Sequence, residues 1–295
     1  MLWVILAIIS AAIWSIVAII DKYIITKHIK EPIVPVMIIG LIAIIASILI
    51  YIFNGYSTLS TINIFLAIIT GALFVPQILF YFKALKIGEV SRIIPLFYMS
   101  PIIVFILAAI FLGEVFTLGK YLGMILVVIG SIFITMKKMT KFSIGKEFWL
   151  IMLSVIFLSI ITILTKYLLG FADYWTVFAY IKIGNFIATI PIVYLYYGTL
   201  SRALAKSGKK VVGLLLTNET IALTASLIFI IALSLGSASL VTGISAVQPF
   251  FVLLYATILS LFLPKILKEE ISKSVIIHKL FAIVLVFIGG YLIII

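Results

Sequence analysis

Two charges stand inside apolar segments, and chemistry would have to start from them. Lys182 lies about seven residues into the stretch 174–197, roughly 10 Å deep at helical rise. Glu219 lies about eight residues into the stretch 211–235, which enters from the opposite face. A charge at that depth is costly unless it is paired or hydrated. The two segments are adjacent and antiparallel, so both side chains can reach the midplane. There they could line a cavity as a pair that a solute or a proton disturbs. A buried pair that only fixes helix register, or a lysine that snorkels outward, satisfies the same physics. In the cavity reading Lys182 attracts a carboxylate or phosphate, and Glu219 is the proton-linked acid.

Amides and aromatics extend this set. Asn185 lies one helical turn from Lys182 at i,i+3, and Asn218 precedes Glu219. Interhelical hydrogen bonding accounts for both asparagines as well as a solute role does. Gln77 follows Pro76, and Gln248 precedes Pro249. A proline frees a carbonyl one turn back, so an amide beside it can meet that oxygen or a ligand. Trp14 and Tyr98 are deep enough to wall a cavity, whereas Tyr81 and Trp175 read as interfacial-belt aromatics. Pro95, Pro101 and Pro249 are the expected hinges. Gly119 with Gly123, and Gly289 with Gly290, read as close-packing positions, within the chain or between protomers of a homodimer.

Other chemistries lack their residues. The two histidines, His28 and His278, stand near segment ends, and cysteine is absent. No His-Glu-x-x-His metal site, Gly-x-Ser-x-Gly elbow or phosphate-binding loop is present. The chain is therefore expected to be no enzyme and to need no metal or cofactor.

The elements that must position these residues follow from composition. Of 295 residues, 65% are hydrophobic and only 10% charged, against about a quarter charged in soluble domains. A lipid bilayer is the solvent that fits such a chain. The net charge of +12 marks loops on one side of the bilayer, because no basic run with interleaved aromatics suggests nucleic acid. Ten apolar segments reach or approach the roughly 20 residues that a span needs. They cover about 2–20, 33–53, 62–82, 90–112, 118–136, 148–168, 174–197, 211–235, 239–263 and 277–295. Residues 2–20 read as a retained first span and not as a signal peptide. Ser201–Lys210 is expected to be a polar loop, and Lys137–Lys146 the boundary between halves at 1–140 and 141–295. Loops after the odd-numbered spans hold 18 of the 21 basic residues. That bias puts those loops in the cytoplasm and both termini outside.

The sequence also repeats itself. Ala84–Pro101 returns 148 positions later as Ala232–Pro249, matching at Ala84, Leu85, Gly88, Ser91 and Pro101. At an offset of 144, Ser15, Lys22, Tyr23 and Gly40 meet Ser159, Lys166, Tyr167 and Gly184. Five spans per half is an odd number, so the second half must enter the membrane upside down.

Two such halves, each with Ala-Leu-x-x-Gly before a span that carries a mid-helix proline, resemble the drug/metabolite transporter superfamily, in its ten-span EamA-type branch. The resemblance spans the chain. It rests on Ala84–Gly88, Ser91, Pro101, Leu112-Gly113-Glu114, Gly123, Gly130, Ala232–Gly236, Ser239, Pro249 and Gly289. Gln248 stands where family members often have Glu. Family members commonly have cytoplasmic termini, whereas the charge bias here places them outside. The resemblance implies an all-α, ten-helix secondary carrier or exporter in the cytoplasmic membrane. Such a carrier moves a small-molecule solute, an amino acid or a similar amphipathic metabolite, with protons as a candidate coupling ion and a monomer or homodimer as its form. The cavity is expected between spans one, three, four, six, eight and nine, with span seven contributing Lys182. A lipid or lipid-linked sugar flippase of the same fold, and a non-transporting membrane scaffold, are the competing readings.

Overall fold

A computed structural model of the 295-residue chain describes residues 1–29, 31–87, 96–97, 99–135, 145–262 and 273–295. Every regular element among them is helical. This is what lipid demands, since a helix satisfies its backbone polar groups internally. In chain order the helices are α1 (Leu2–Lys27), α2 (Ile33–Asn54), α3 (Thr61–Ile87), α4 (Ser100–Phe111), α5 (Leu118–Thr135) and α6 (Lys146–Leu168). They continue as α7 (Tyr174–Leu235), α8 (Ala238–Ser245), α9 (Gln248–Phe262) and α10 (Lys273–Ile294). Among the described residues, six stretches are long and apolar enough to cross a membrane: α1, α2, α3, α6, α7 and the run Ala238–Leu259 across α8 and α9. Large apolar side chains such as Phe53, Phe65 and Trp149 stay exposed on these helices, as a lipid-facing surface requires. The chain is a multi-pass, all-α membrane protein.

The 62 residues of α7 are far too many for one crossing at 1.5 Å per residue. Helical geometry breaks inside it at Tyr196 (φ −114°, ψ 19°) and Gly208 (φ 75°, ψ 162°). The positive φ at Gly208 is one that side-chain-bearing residues rarely adopt. Phe178 packs in one cluster with Leu227, and Ile192 in another with Leu215. Residues equidistant from a point near 203 therefore meet, and α7 folds back as a hairpin of two antiparallel arms. Ser201–Lys210, expected as a polar loop, remains largely helical. Good helix formers fill it, and Ser207 Oγ bonds back to the Ala203 carbonyl at 2.7 Å.

Close backbone approach fixes the helix pairs. A Cβ on Gly71 of α3 would strike the Ile181 backbone, and one on Gly184 of α7 the Ile68 backbone. Gly123 and Gly130 of α5 lie against Gly289 and Ala282 of α10. The expected glycine packing therefore falls within the chain. Gly119 and Gly290, which were expected to share in it, face open space. Elsewhere α3 packs on α6 and on the first arm of α7, and α1 on the second arm. Further contacts join α1 to α9, α4 to α6 and α8, and α2 to α7.

The prolines also sit differently from expectation. Pro101 and Pro249 lie in the first turns of α4 and α9, where a missing N–H costs nothing. They are not mid-helix kinks. Among the described residues, Pro76 and Pro191 are the prolines beyond the first turn of a helix. At the break between α8 and α9, Phe250 N–H bonds to the Val247 carbonyl at 2.9 Å, which frees the Ala246 carbonyl. Ser131 of α5 donates to that oxygen, and Ser15 of α1 donates to the Gln248 carbonyl at 3.0 Å. Pro95 and the 137–145 segment lie outside the described residues, except for Gly145.

One end of the bundle carries a capping cluster. Glu114 accepts from the N–H groups of Ala238 (2.7 Å) and Ser239 (3.0 Å) and from Ser239 Oγ (2.6 Å), at the N-terminus of α8. Lys166 Nζ donates to the carbonyls of Leu233 (2.8 Å) and Gly236 (2.7 Å), at the end of α7. Glu114 and Lys166 thus hold both sides of the α7–α8 break through helix-terminus electrostatics. Glu114→Gln is expected to lower stability by about 1.5–3 kcal/mol, the range for a charged acceptor. A thermal melt in detergent reads this as a clear drop in midpoint, and an unchanged midpoint would refute the capping role.

Candidate functional site

A cavity of about 230 Å³ lies inside the helices. Its walls come from α1, α3, α4, α6, both arms of α7, α8 and α9. Most of the wall is apolar, with a few polar groups spaced around it, the usual character of a small-molecule site.

Lys182, Gln77, Gln248, Trp14 and Pro101 all line it. Lys182 is 5% exposed, and its Nζ stands 4.8 Å from the Phe178 ring centre and 5.3 Å from that of Phe74. Those ring faces hold the ammonium by cation–π attraction. Among the described residues no ion pair joins Lys182 to Glu219, so the expected direct pair is not formed. Glu219 is buried beside the cavity and not in its lining, within electrostatic reach of Lys182. The cause is register. Consecutive helix residues point about 100° apart, and Asn218 takes the direction facing α1.

The remaining polar candidates are mostly committed to helix packing. Gln77 donates through Nε2 to Ser154 Oγ at 3.1 Å, and Ser154 Oγ donates to the Gln77 backbone carbonyl at 2.9 Å. This ties α3 to α6. Asn185 is buried outside the lining, with its Nδ2 unpartnered. Pro249 is not in the lining, and Tyr98 lies outside the described residues. Tyr81, expected at the interfacial belt, faces the cavity instead.

Sequence reasoning missed Asp21. It lines the cavity and accepts a hydrogen bond from Asn218 Nδ2 at 2.7 Å. It stands beside Lys22, near the first loop, where a charge needs no special account. The available signal was the apolar run that continues on both sides of it, because α1 extends seven residues past the expected end at 20.

Outside the spans, Asp173 caps α7. It accepts from the N–H groups of Trp175 (2.9 Å) and Thr176 (3.1 Å) and from Ser57 Oγ (2.5 Å). Partial burial works to raise its pKa, but the hydrogen bonds from Ser57, Thr176 and Trp175 outweigh it and hold the carboxyl below its ordinary value. A lowered carboxyl contributes stability above the unfolded-state value and loses it as pH falls through the folded value. Wild-type melting is therefore expected to decline below the usual carboxylate range. Asp173→Asn should flatten that decline, and identical pH profiles would refute the capping role.

The comparisons with known proteins agree with this picture. The model of the EamA-like transporter family matches residues 1–136. No curated protein matches the chain. A crystal structure described only as that of a protein superposes with a TM-score of 0.74 at 14% identity, covering 98% of this chain and 94% of that one. At that identity the likeness shows the fold alone. Over residues 1–136, a little under half of its length, this multi-pass, all-α membrane protein is similar to EamA-like transporters.

Proposed function

We propose that the chain is a secondary transporter that moves a small amphipathic metabolite by alternating access. Its two halves, 1–140 and 141–295, are inverted five-span repeats around the central cavity. The observation that carries this reading is the cavity itself, walled by helices of both halves and holding a cation and a carboxylate among apolar side chains. Lys182 attracts the solute's anionic group, Asp21 its cationic group, and Trp14, Gln77 and Gln248 complete the walls.

The packing supports the inverted pairing. If α1–α5 correspond to α6, the two arms of α7, α8 with α9, and α10, the contacts exchange correctly. The contact of α1 with the second arm is matched by that of α6 with α3, and α1 with α9 by α6 with α4. The pairs α2 with α7 and α5 with α10 map onto themselves. Glu114 and Lys166 clasp one end of the second half, and Lys22 is the sequence echo of Lys166 for the other end. With basic loops cytoplasmic, the clasped end is the outer one and both termini lie outside. Rocking the halves about the cavity would close each end in turn.

Uptake into proteoliposomes tests the reading, screened over amino acids, sugars and nucleotides with and without a pH gradient. Saturable uptake of one class supports the carrier. Movement of a labelled lipid-linked sugar alone would favour the flippase, and no movement of any probe would favour a scaffold.

A further inference from the structure

Asp21, on the cavity wall, and Asn218 and Glu219, buried behind it, form an acceptor-rich set. Asn218 is fully buried and donates Nδ2 to Asp21 at 2.7 Å. An ionised Asp21 can take only the amide N–H, since the amide oxygen would repel a carboxylate. It leaves Asn218 Oδ1 buried with no donor. Glu219 is 5% exposed, and its carboxyl has no hydrogen-bond partner among the described residues. Two carboxyls and one amide oxygen therefore share a single amide donor.

Among the described residues, the charged and titratable neighbours on packed elements are Lys182, Tyr81 and Lys22. Lys182 stands on the first arm of α7 and Tyr81 on α3, while Lys22 follows Asp21 on α1 and is exposed. With both carboxyls ionised, Asp21 on the cavity wall and the buried Glu219 and Lys182 together carry a net negative charge. Burying an uncompensated charge in low dielectric costs several kcal/mol or more. One added proton makes the set neutral and supplies the missing donor.

We propose that Asp21, Asn218 and Glu219 bind one proton, held by the carboxyl pair and positioned by the Asn218 amide. The proton enters from whichever aqueous face the cavity meets and converts one carboxylate to a carboxylic acid. It leaves by the reverse step at the other face. As the coupling ion it rests on the transporter reading, but its presence does not depend on any solute. Sodium is the competing occupant. Two carboxylates and an amide oxygen are a sparse oxygen shell for it.

Infrared titration of the full chain in lipid nanodiscs tests this, with the proton as probe. Wild type is expected to show a carboxylic-acid carbonyl band at neutral pH, equivalent to one group per chain and removed on titration to higher pH. Charge balance predicts that Glu219→Gln and Asp21→Asn each abolish the band, since either leaves a neutral set. Lys182→Met should instead double it. Asn218→Leu should shift the midpoint of the titration without removing the band, the mark of a positioning residue. No wild-type band at neutral pH overturns the proposal and needs no variant. So does a band that survives both neutralisations, or one that sodium chloride removes and choline chloride does not. A failed uptake screen with the band present would sink the transporter reading and leave the proton site standing.

Discussion

Gly71→Ala and Gly184→Ala are each expected to destabilise the protein by roughly 3 kcal/mol, the upper range for overpacking a well-packed interior. The cause is that the added methyl meets backbone, and no side chain can rotate away from it. At Gly71 the obstacle is the Ile181 carbonyl, with the Asn185 nitrogen 2.7 Å from the added carbon. At Gly184 it is the Ile68 carbonyl. Helices α3 and α7 would have to separate, and that separation opens the wall that carries Lys182 and Phe74. Gly119→Ala and Gly290→Ala make the control, since neither methyl meets anything within 4 Å. Detergent melting curves should show large losses for the first two and almost none for the controls. Equal effects across all four would contradict the packing described.

The second large effect concerns transport. Lys182→Met is expected to lower uptake of the solute class found in the proteoliposome screen at least tenfold, about 1.4 kcal/mol in binding terms. Methionine fills similar space and can stay against Phe74 and Phe178, so the charge is removed with little packing change. Glu219→Gln should leave solute binding nearly intact and remove the response of uptake to a pH gradient. Unimpaired transport in Lys182→Met, with the gradient response intact in Glu219→Gln, would end the assignment of these two residues.

Much of the fold was legible because lipid leaves few options. Apolar length pointed to the helices, six stretches of which are long and apolar enough to cross a membrane among the described residues, and the Ala84–Pro101 echo is the sequence basis for proposing a duplicated unit. What composition could not supply was direction around each helix axis. Lys182 and Glu219 both looked central, yet one faces the cavity over two phenyl rings and the other lies behind it. Gln77 was expected to line the cavity and stands in its wall, but whether its amide serves Ser154 or a solute depends on the α3–α6 register. Tyr81 was placed at the belt because it stands near a span end, and α3 in fact continues to Ile87. Asp21 was passed over for the same reason at the end of α1. The Glu114 and Lys166 caps bridge residues more than sixty positions apart, a distance over which local pattern carries no information.

Thiol accessibility at Ser226 most directly tests whether this protein encloses a solute path. The chain has no cysteine, so Ser226→Cys creates one reactive site, on the second arm of α7 where it lines the cavity. A membrane-impermeant thiol reagent should label it in right-side-out and in inside-out vesicles, because each end of the cavity opens in turn. Failure to label from either face, with the same cysteine reactive after unfolding in detergent, would mean a sealed interior and contradict the account.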